Sequence, residues 1–314
     1  MRSARGAERL LGDATLDEFV RSLTPAALDR TTVSERRKIL ESTLQAKTSF
    51  SSLFESGSWS HGTSVSGHSD VDYMALAPAY ARPTRPSSAL RVLSDAVSGS
   101  HWSISGLRIS SPAVKVTFYR NPNVELAPAF FHRRLSGVDV YHIPGPDDEW
   151  IESIPQGHNS YVSGVNDRLG KKLKPLVRLI KSWKYAQSVP VSSFYLEMRT
   201  ASYASGESSI INDIDLRSMF RQLIAGEMRA MNDPLGIVGR IPATSSDANR
   251  TSALRSAKLA SEHLQAADEA LASIFHVTDD LVSLRAGVSV RVSGRQGVPA
   301  LLAAGSPGSG CRAG

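Results

Sequence analysis

The sequence predicts an α+β protein: a small mixed β-sheet with helices packed behind it, then a largely helical C-terminal lobe. Three observations lead there. Between residues 71 and 127 short runs alternate apolar and polar residues, as in Val71-Asp72-Tyr73-Met74-Ala75-Leu76. Turn signals, above all Asn121-Pro122-Asn123, separate these runs. Helical periodicity precedes that zone and takes over again from about residue 157.

Residues 1–33 carry a mixed helical pattern broken near Pro25. The stretch Ser34–Ala46 opens on a serine with Glu35 in its first turn and then spaces Ile39, Leu40 and Leu44 helically. The next stretch, SSLFESGSWSHGTSVSGHSDVDYMAL, reads as a helix end, a Gly/Ser-rich turn and a strand over 71–76. A proline-punctuated loop at 79–86 leads to a short helix over 88–98, and strands are expected at 102–109, 113–119 and 124–127. Residues 144–155 read as a connector. Leu169, Leu173, Leu176, Val177, Ile180 and Trp183 then form one apolar stripe, with Lys171, Lys172, Lys174, Arg178, Lys181 and Lys184 on much of the remainder. Further helices are expected at 192–204, 213–230 and 247–275. The last stretch lacks a helical period and ends AAGSPGSGCRAG, the composition of a flexible tail. The domain division that follows is 1–150 for N-terminal helices and sheet core, 151–284 for the helical lobe and 285–314 for the tail.

A chain of 314 residues is long enough for one bilobal globule. No apolar run approaches the ~20 residues of a membrane span, and the N-terminus lacks an uninterrupted apolar stretch of the secretory kind. The one cysteine, Cys311, rules out an internal disulfide framework and a cysteine-built zinc site; a cytoplasmic location is expected. The net charge of +6 suits an anionic ligand, nucleic acid or triphosphate, and equally an ordinary basic surface.

The chemistry concentrates in residues 57–72. Asp70 and Asp72 stand two apart, so on a strand both carboxylates face one side. Two like charges held together call for a cation, and hard oxygen ligands select magnesium, or manganese in its place. Upstream, Gly57-Ser58 and Gly62-Thr63 make a glycine-rich turn of the kind whose backbone N–H groups cradle phosphate. A phosphate cradle followed within a dozen residues by a metal-binding pair is what nucleotidyl transfer requires. The second Asp-x-Asp, at Asp213 and Asp215, has no such cradle and is read as acid at a helix N-terminus. His61 and His68, which flank the cradle, are read as solvated loop residues.

The segment GSWSHGTSVSGHSDVDYM resembles the Gly-Ser, spacer, Asp-x-Asp signature of polymerase-beta-like nucleotidyltransferases. More narrowly, the chain resembles the bacterial cGAS/DncV-like nucleotidyltransferases, which make cyclic oligonucleotide signals in anti-phage defence. VELAPAF, LKPLVRLIKSWK, VSSFYLE and NDPLGIVGRIPA resemble later family segments in the family's order, so the resemblance runs from about Ile39 to Phe275. It implies a polymerase-beta-like core, a C-terminal helical lobe and an active site in the cleft between them. Carried over by position, Asp70, Asp72 and Glu125 are expected as catalytic metal ligands, for two magnesium ions. Glu125 replaces the aspartate usual in the family with a longer side chain. Gly57, Ser58, Lys181 and Ser193 are expected at the nucleotide phosphates, and Phe194 on a base.

The function implied is synthesis of a cyclic di- or trinucleotide from nucleoside triphosphates (ATP, GTP or pyrimidine triphosphates), with release of pyrophosphate. The alternative is a template-independent nucleotidyltransferase acting on RNA or protein. No membrane partner and no obligatory nucleic-acid activator are expected, since a zinc thumb built from cysteines is excluded. Accessory proteins of a defence operon are candidate partners.

Overall fold

The computed structural model describes residues 16–266 and 274–275, so the expected tail at 285–314 and the first fifteen residues lie outside the described residues. Residues 16–22 are helical. The elements that follow are α1 (Ala27–Lys47), β1 (Ser52–Ser56), α2 (Gly57–His61), β2 (Val71–Ala77), α3 (Pro86–Val97), β3 (Ile104–Ser110) and β4 (Ala113–Phe118). Then come β5 (Val124–Leu135), β6 (Val138–Pro144), β7 (Trp150–Ser153), α4 (Pro155–Arg168), α5 (Leu173–Ala186), α6 (Ser193–Ser205) and α7 (Asn212–Ala225). A short hairpin, β8 (Met231–Asn232) and β9 (Arg240–Ile241), precedes α8 (Asp247–Ala266).

Seven strands form one mixed sheet in the order β1-β2-β5-β4-β3, with β6 and β7 continuing from the second half of β5. The β2–β5 pairing is parallel and the others are antiparallel. Alternation sorts the side chains onto two faces. Val71, Tyr73 and Ala75 of β2, Val114 and Val116 of β4, and Val124 and Leu126 of β5 share a buried cluster with Leu40 and Leu44 of α1 and with Leu90, Leu93 and Val97 of α3. Each such fully buried side chain contributes about 1.5–3 kcal/mol relative to exposure. The opposite face therefore receives the polar partners of the alternation, Asp72, Glu125 and Lys115, and it is this face that the helical lobe covers.

The lobe has its own apolar interior, in which Trp183 of α5 meets Phe220 of α7 edge-on at 5.0 Å. The basic residues around the apolar stripe are not all at the surface: Lys181 is 1% exposed. The strand β1 occupies residues expected to end a helix, and α2 occupies part of the expected turn. The sheet also continues through β6 and β7, so that 144–155 is more than a connector. The helix expected over 213–230 stops at Ala225. Among the described residues no helix is long and apolar enough to cross a membrane.

Candidate active site

One row of the sheet holds most of the chemistry. Ser56 on β1 pairs with Asp72 on β2, Asp72 with Glu125 on β5, Glu125 with Lys115 on β4, and Lys115 with Arg108 on β3. Residues in register share a face, so two acids stand at the centre of the row and two cations on its flank. Asp70 precedes β2 by one residue rather than lying within it, and its carboxylate accepts a hydrogen bond from Lys115 Nζ. The three acids are thus neighbours, but Asp70 is turned toward Lys115. The only trio of ligand-type atoms drawn within 4.8 Å among the described residues lies elsewhere.

The carboxylates are under electrostatic stress. Burial pushes Asp72 up to about 7, and the Glu125 and Asp70 charges add to the shift, while Lys181 opposes it. Burial and then Asp70 likewise raise Glu125, against the pull of Lys115 and Arg108. Three neighbouring carboxylates, two of them raised by burial and by one another despite the nearby cations, suit a hard divalent cation, so the residues present fit the expected magnesium.

The cradle is held tightly against this row. Gly57, the first residue of α2, has φ +61°, and a Cβ there would collide with the Asp72 carboxylate, so only glycine fits. Ser58 follows it in the first turn, where helix N–H groups lack intrahelical acceptors. Gly62 ends α2 in the left-handed region at φ +67°. Arg178 of α5 donates to the carbonyls of Gly62 (2.7 Å) and Ser64 (3.2 Å), and Asn159 of α4 donates to Ser60 Oγ (3.0 Å). Arg36 of α1 donates to the Arg120 carbonyl (2.7 Å), steadying the turn that leads into Glu125.

Beneath the cradle lies a buried charged cluster. Glu197 of α6 pairs with Lys181 Nζ and, at 2.6 Å, with His61 Nδ1; Lys181 also donates to Thr63 Oγ1 at 3.1 Å. Burial works to raise the Glu197 carboxyl, yet Lys181 and His61 together hold it well below the usual carboxylate range. His61 is 2% exposed, which corrects its reading as a solvated loop residue. His68 is exposed as expected, but its ring stacks on Tyr185 at 4.9 Å and lines the site.

Two adjoining cavities, of about 770 and 340 Å³, share Gly57, Asp72, Glu125 and Phe194 in their walls. The smaller takes Ser58, Lys181, Lys184 and Ser193 as further lining. Ser193 Oγ accepts from Lys184 Nζ at 2.5 Å, and burial followed by Lys181 brings Lys184 down to about 8. The cap of α6 is Ser192, which accepts from the Tyr195 N–H at 3.3 Å, leaving the Ser193 side chain to the cavity. The larger cavity is more apolar, with Met74, Ile143, Pro190, Val191 and Asn249 in its wall. Phe194 stands between the two, 37% exposed and edge-on to His158 at 5.0 Å.

All eight residues expected at the site therefore line one or both cavities. Lys115, Lys184 and Glu197 were not expected at the site; Lys184 and Glu197 each lie in a recognised segment, LKPLVRLIKSWK and VSSFYLE, whereas Lys115 carried no such signal. Asp213 and Asp215 are in the first turn of α7, where Asp215 accepts from the Ile211 N–H at 2.6 Å, as expected of helix-terminal acids.

Comparison with known proteins agrees with this fold. Residues 12–166 match the family described as the Second Messenger Oligonucleotide or Dinucleotide Synthetase domain. No curated protein sequence matches the chain. Among solved structures, the chain is similar to Escherichia coli MS115-1 CdnC with ATP, at 16% identity and a TM-score of 0.68, over 84% of this chain and 97% of that one. It is similar to Bradyrhizobium diazoefficiens CdnG with GTP, at 14% identity and a TM-score of 0.68, over 88% and 98% of the two chains. Vibrio cholerae DncV, a cyclic AMP-GMP synthase with a bound linear intermediate, gives 15% identity and a TM-score of 0.58 over 89% and 90%. Residues 12–166 thus carry a second messenger oligonucleotide or dinucleotide synthetase domain, in a chain with the fold of the bacterial cGAS/DncV-like nucleotidyltransferases.

Proposed function

We propose that the protein joins two or three nucleoside triphosphates through successive phosphodiester bonds and closes the product into a ring, as a signal in anti-phage defence. The observation that carries this reading is the shared wall: Asp72 and Glu125 line both cavities, so groups held on either side meet at the same carboxylates. The solved relatives with ATP, GTP or a linear intermediate support triphosphates as the substrates.

In this reading the smaller cavity holds the donor triphosphate. Gly57 and Ser58 present helix N–H groups to it, Lys184 and Ser193 bind its phosphates, and Lys181 adds charge from beneath. The larger cavity holds the nucleotide that supplies the 3′-hydroxyl, with Phe194 offering a ring for base stacking, worth about 1–3 kcal/mol. The hydroxyl oxygen attacks the donor α-phosphorus, a new P–O bond forms, and the bond to the pyrophosphate leaving group breaks. Glu125, raised by burial from its ordinary value, takes the hydroxyl proton. Asp70, Asp72 and Glu125 would hold magnesium, which supplies charge neutralisation to the phosphates in transit.

Labelled triphosphates incubated with the full chain and Mg²⁺ test the proposal. A phosphatase-resistant nucleotide is expected from the wild type and not from Asp70→Ala or Asp72→Ala. Label appearing only on RNA or on protein would replace this reading with macromolecular nucleotidyl transfer.

A further inference from the structure

The β5–β6–β7 end of the sheet gathers a second set of ligand-type side chains. His142 on β6 and Glu152 on β7 are register partners. His132 lies where the β5–β6 register shifts, between Phe131 and Arg133. A bulge of this kind carries an extra residue and re-aims the side chains around it. Here the consecutive residues His132 and Arg133 both reach Glu152. The His132 and His142 ring centroids are 4.0 Å apart, and His132 Nε2 lies 3.5 Å from Glu152 Oε1. One ligand atom from each of the three residues lies within 4.8 Å of the other two.

We propose that His132, His142 and Glu152 form a second cation site, for zinc or a similar borderline divalent ion, separate from the carboxylate row. Two imidazoles and one carboxylate with an open fourth position are a zinc donor set, whereas magnesium prefers oxygen throughout. The inference does not depend on the nucleotidyl-transfer reading.

The neighbouring arginines define how the site works. Arg133 donates to Glu152 at 2.9–3.1 Å through Nε and Nη2. Each carboxylate oxygen has two acceptor positions, so Arg133 can orient Glu152 while one oxygen still ligates. Arg82 contacts His142 Nδ1. A guanidinium can only donate, so this contact leaves the His142 proton on Nε2 and competes with the metal. Arg82 is exposed and lies over the Trp150 ring at 5.8 Å, an alternative partner for its guanidinium. The bound ion would tie three strands together at one point. Ile143 of β6 and Ile151 and Ser153 of β7 line the larger cavity, so the ion would also brace that wall.

The test is calorimetric titration of Zn²⁺ into the full chain with Mg²⁺ in excess, which competes with zinc for the carboxylate row. The wild type should take one zinc. His132→Ala and Glu152→Gln, both changes at partly exposed positions, should each weaken binding by about tenfold or more, since even an outer partner of a ligand is worth about 10–100-fold. Asp70→Asn should leave zinc affinity unchanged, and Arg82→Gln should tighten it. The absence of a zinc isotherm in the wild type would overturn the proposal. So would zinc binding that survives His132→Ala and Glu152→Gln together, or that disappears in Asp70→Asn.

Discussion

Lys115 on β4 forms an ion pair with Asp70 while lying in register beside Glu125. One side chain thereby acts as counter-ion to two of the acids expected to hold magnesium. Lys115→Gln should therefore tighten magnesium binding by about two- to fivefold, because a partly exposed ion pair is worth about 0.2–1 kcal/mol. Metal titration by calorimetry reads this; unchanged or weaker binding would show that Lys115 does not compete for Asp70.

Glu197 is the keystone of the buried cluster under the cradle. Glu197→Gln leaves Lys181 buried without its counter-charge and should destabilise the protein by about 3–5 kcal/mol in urea unfolding. The double variant Lys181→Met with Glu197→Leu should cost less than the single change, since replacing both charges by apolar groups removes the desolvation penalty. A double variant as unstable as the sum of its singles would refute this account.

Asp72 carries a pH signature. Its pKa rises from 3.8 to about 7, first through burial and then through Glu125. A carboxyl raised on folding binds its proton more tightly in the folded state, so stability falls as pH rises from about 4 to about 7, and the loss is complete above that. Asp72→Asn should match the wild type near pH 4 and exceed it by about 1–3 kcal/mol near pH 8 without metal. Chemical denaturation at the two pH values checks this, and adding Mg²⁺ at the higher pH should narrow the gap.

Gly57→Ala combines two penalties, a left-handed backbone and a collision with the Asp72 carboxylate. About 1–2 kcal/mol of stability should be lost. The larger effect should fall on kcat, by about 100-fold, because the displaced group is a reacting-site carboxylate. A normal kcat with only a raised KM would mean that Gly57 serves phosphate binding alone.

Much of the site was legible along the chain. Gly57, Ser58, Asp70 and Asp72 fall within sixteen residues, so their spacing pointed to a candidate cradle beside a candidate metal pair, and the structure brings all four to one cavity. The strand at Val124–Ala127 was visible from its turn signal and alternation, while Glu125 within it was singled out by the family resemblance. Harder to read was β1, a five-residue strand whose Gly/Ser-rich continuation gives no period, and β6 with β7, whose pairing partner is the far half of a twelve-residue strand. Lys181 was singled out only by the family resemblance, and its pairing with Glu197 was not legible, because helical spacing records direction around an axis and says nothing of a glutamate on another helix.

By itself, the sequence determined most of the helices, the alternating faces of the central strands and the local constellation at 57–72, since each follows from spacing within a few residues. Strand register was decided only in three dimensions, and it aligned Arg108, Lys115, Glu125, Asp72 and Ser56 in one row across five strands. The pairing of Lys181 with Glu197 and His61, the turn of Asp70 toward Lys115 and the meeting of His132, His142 and Glu152 were decided there too. The physical reason is common to all of them. Charge pairing, burial and ligand geometry depend on through-space distance, and separations along the chain leave that distance open until the sheet closes and the helical lobe packs against it.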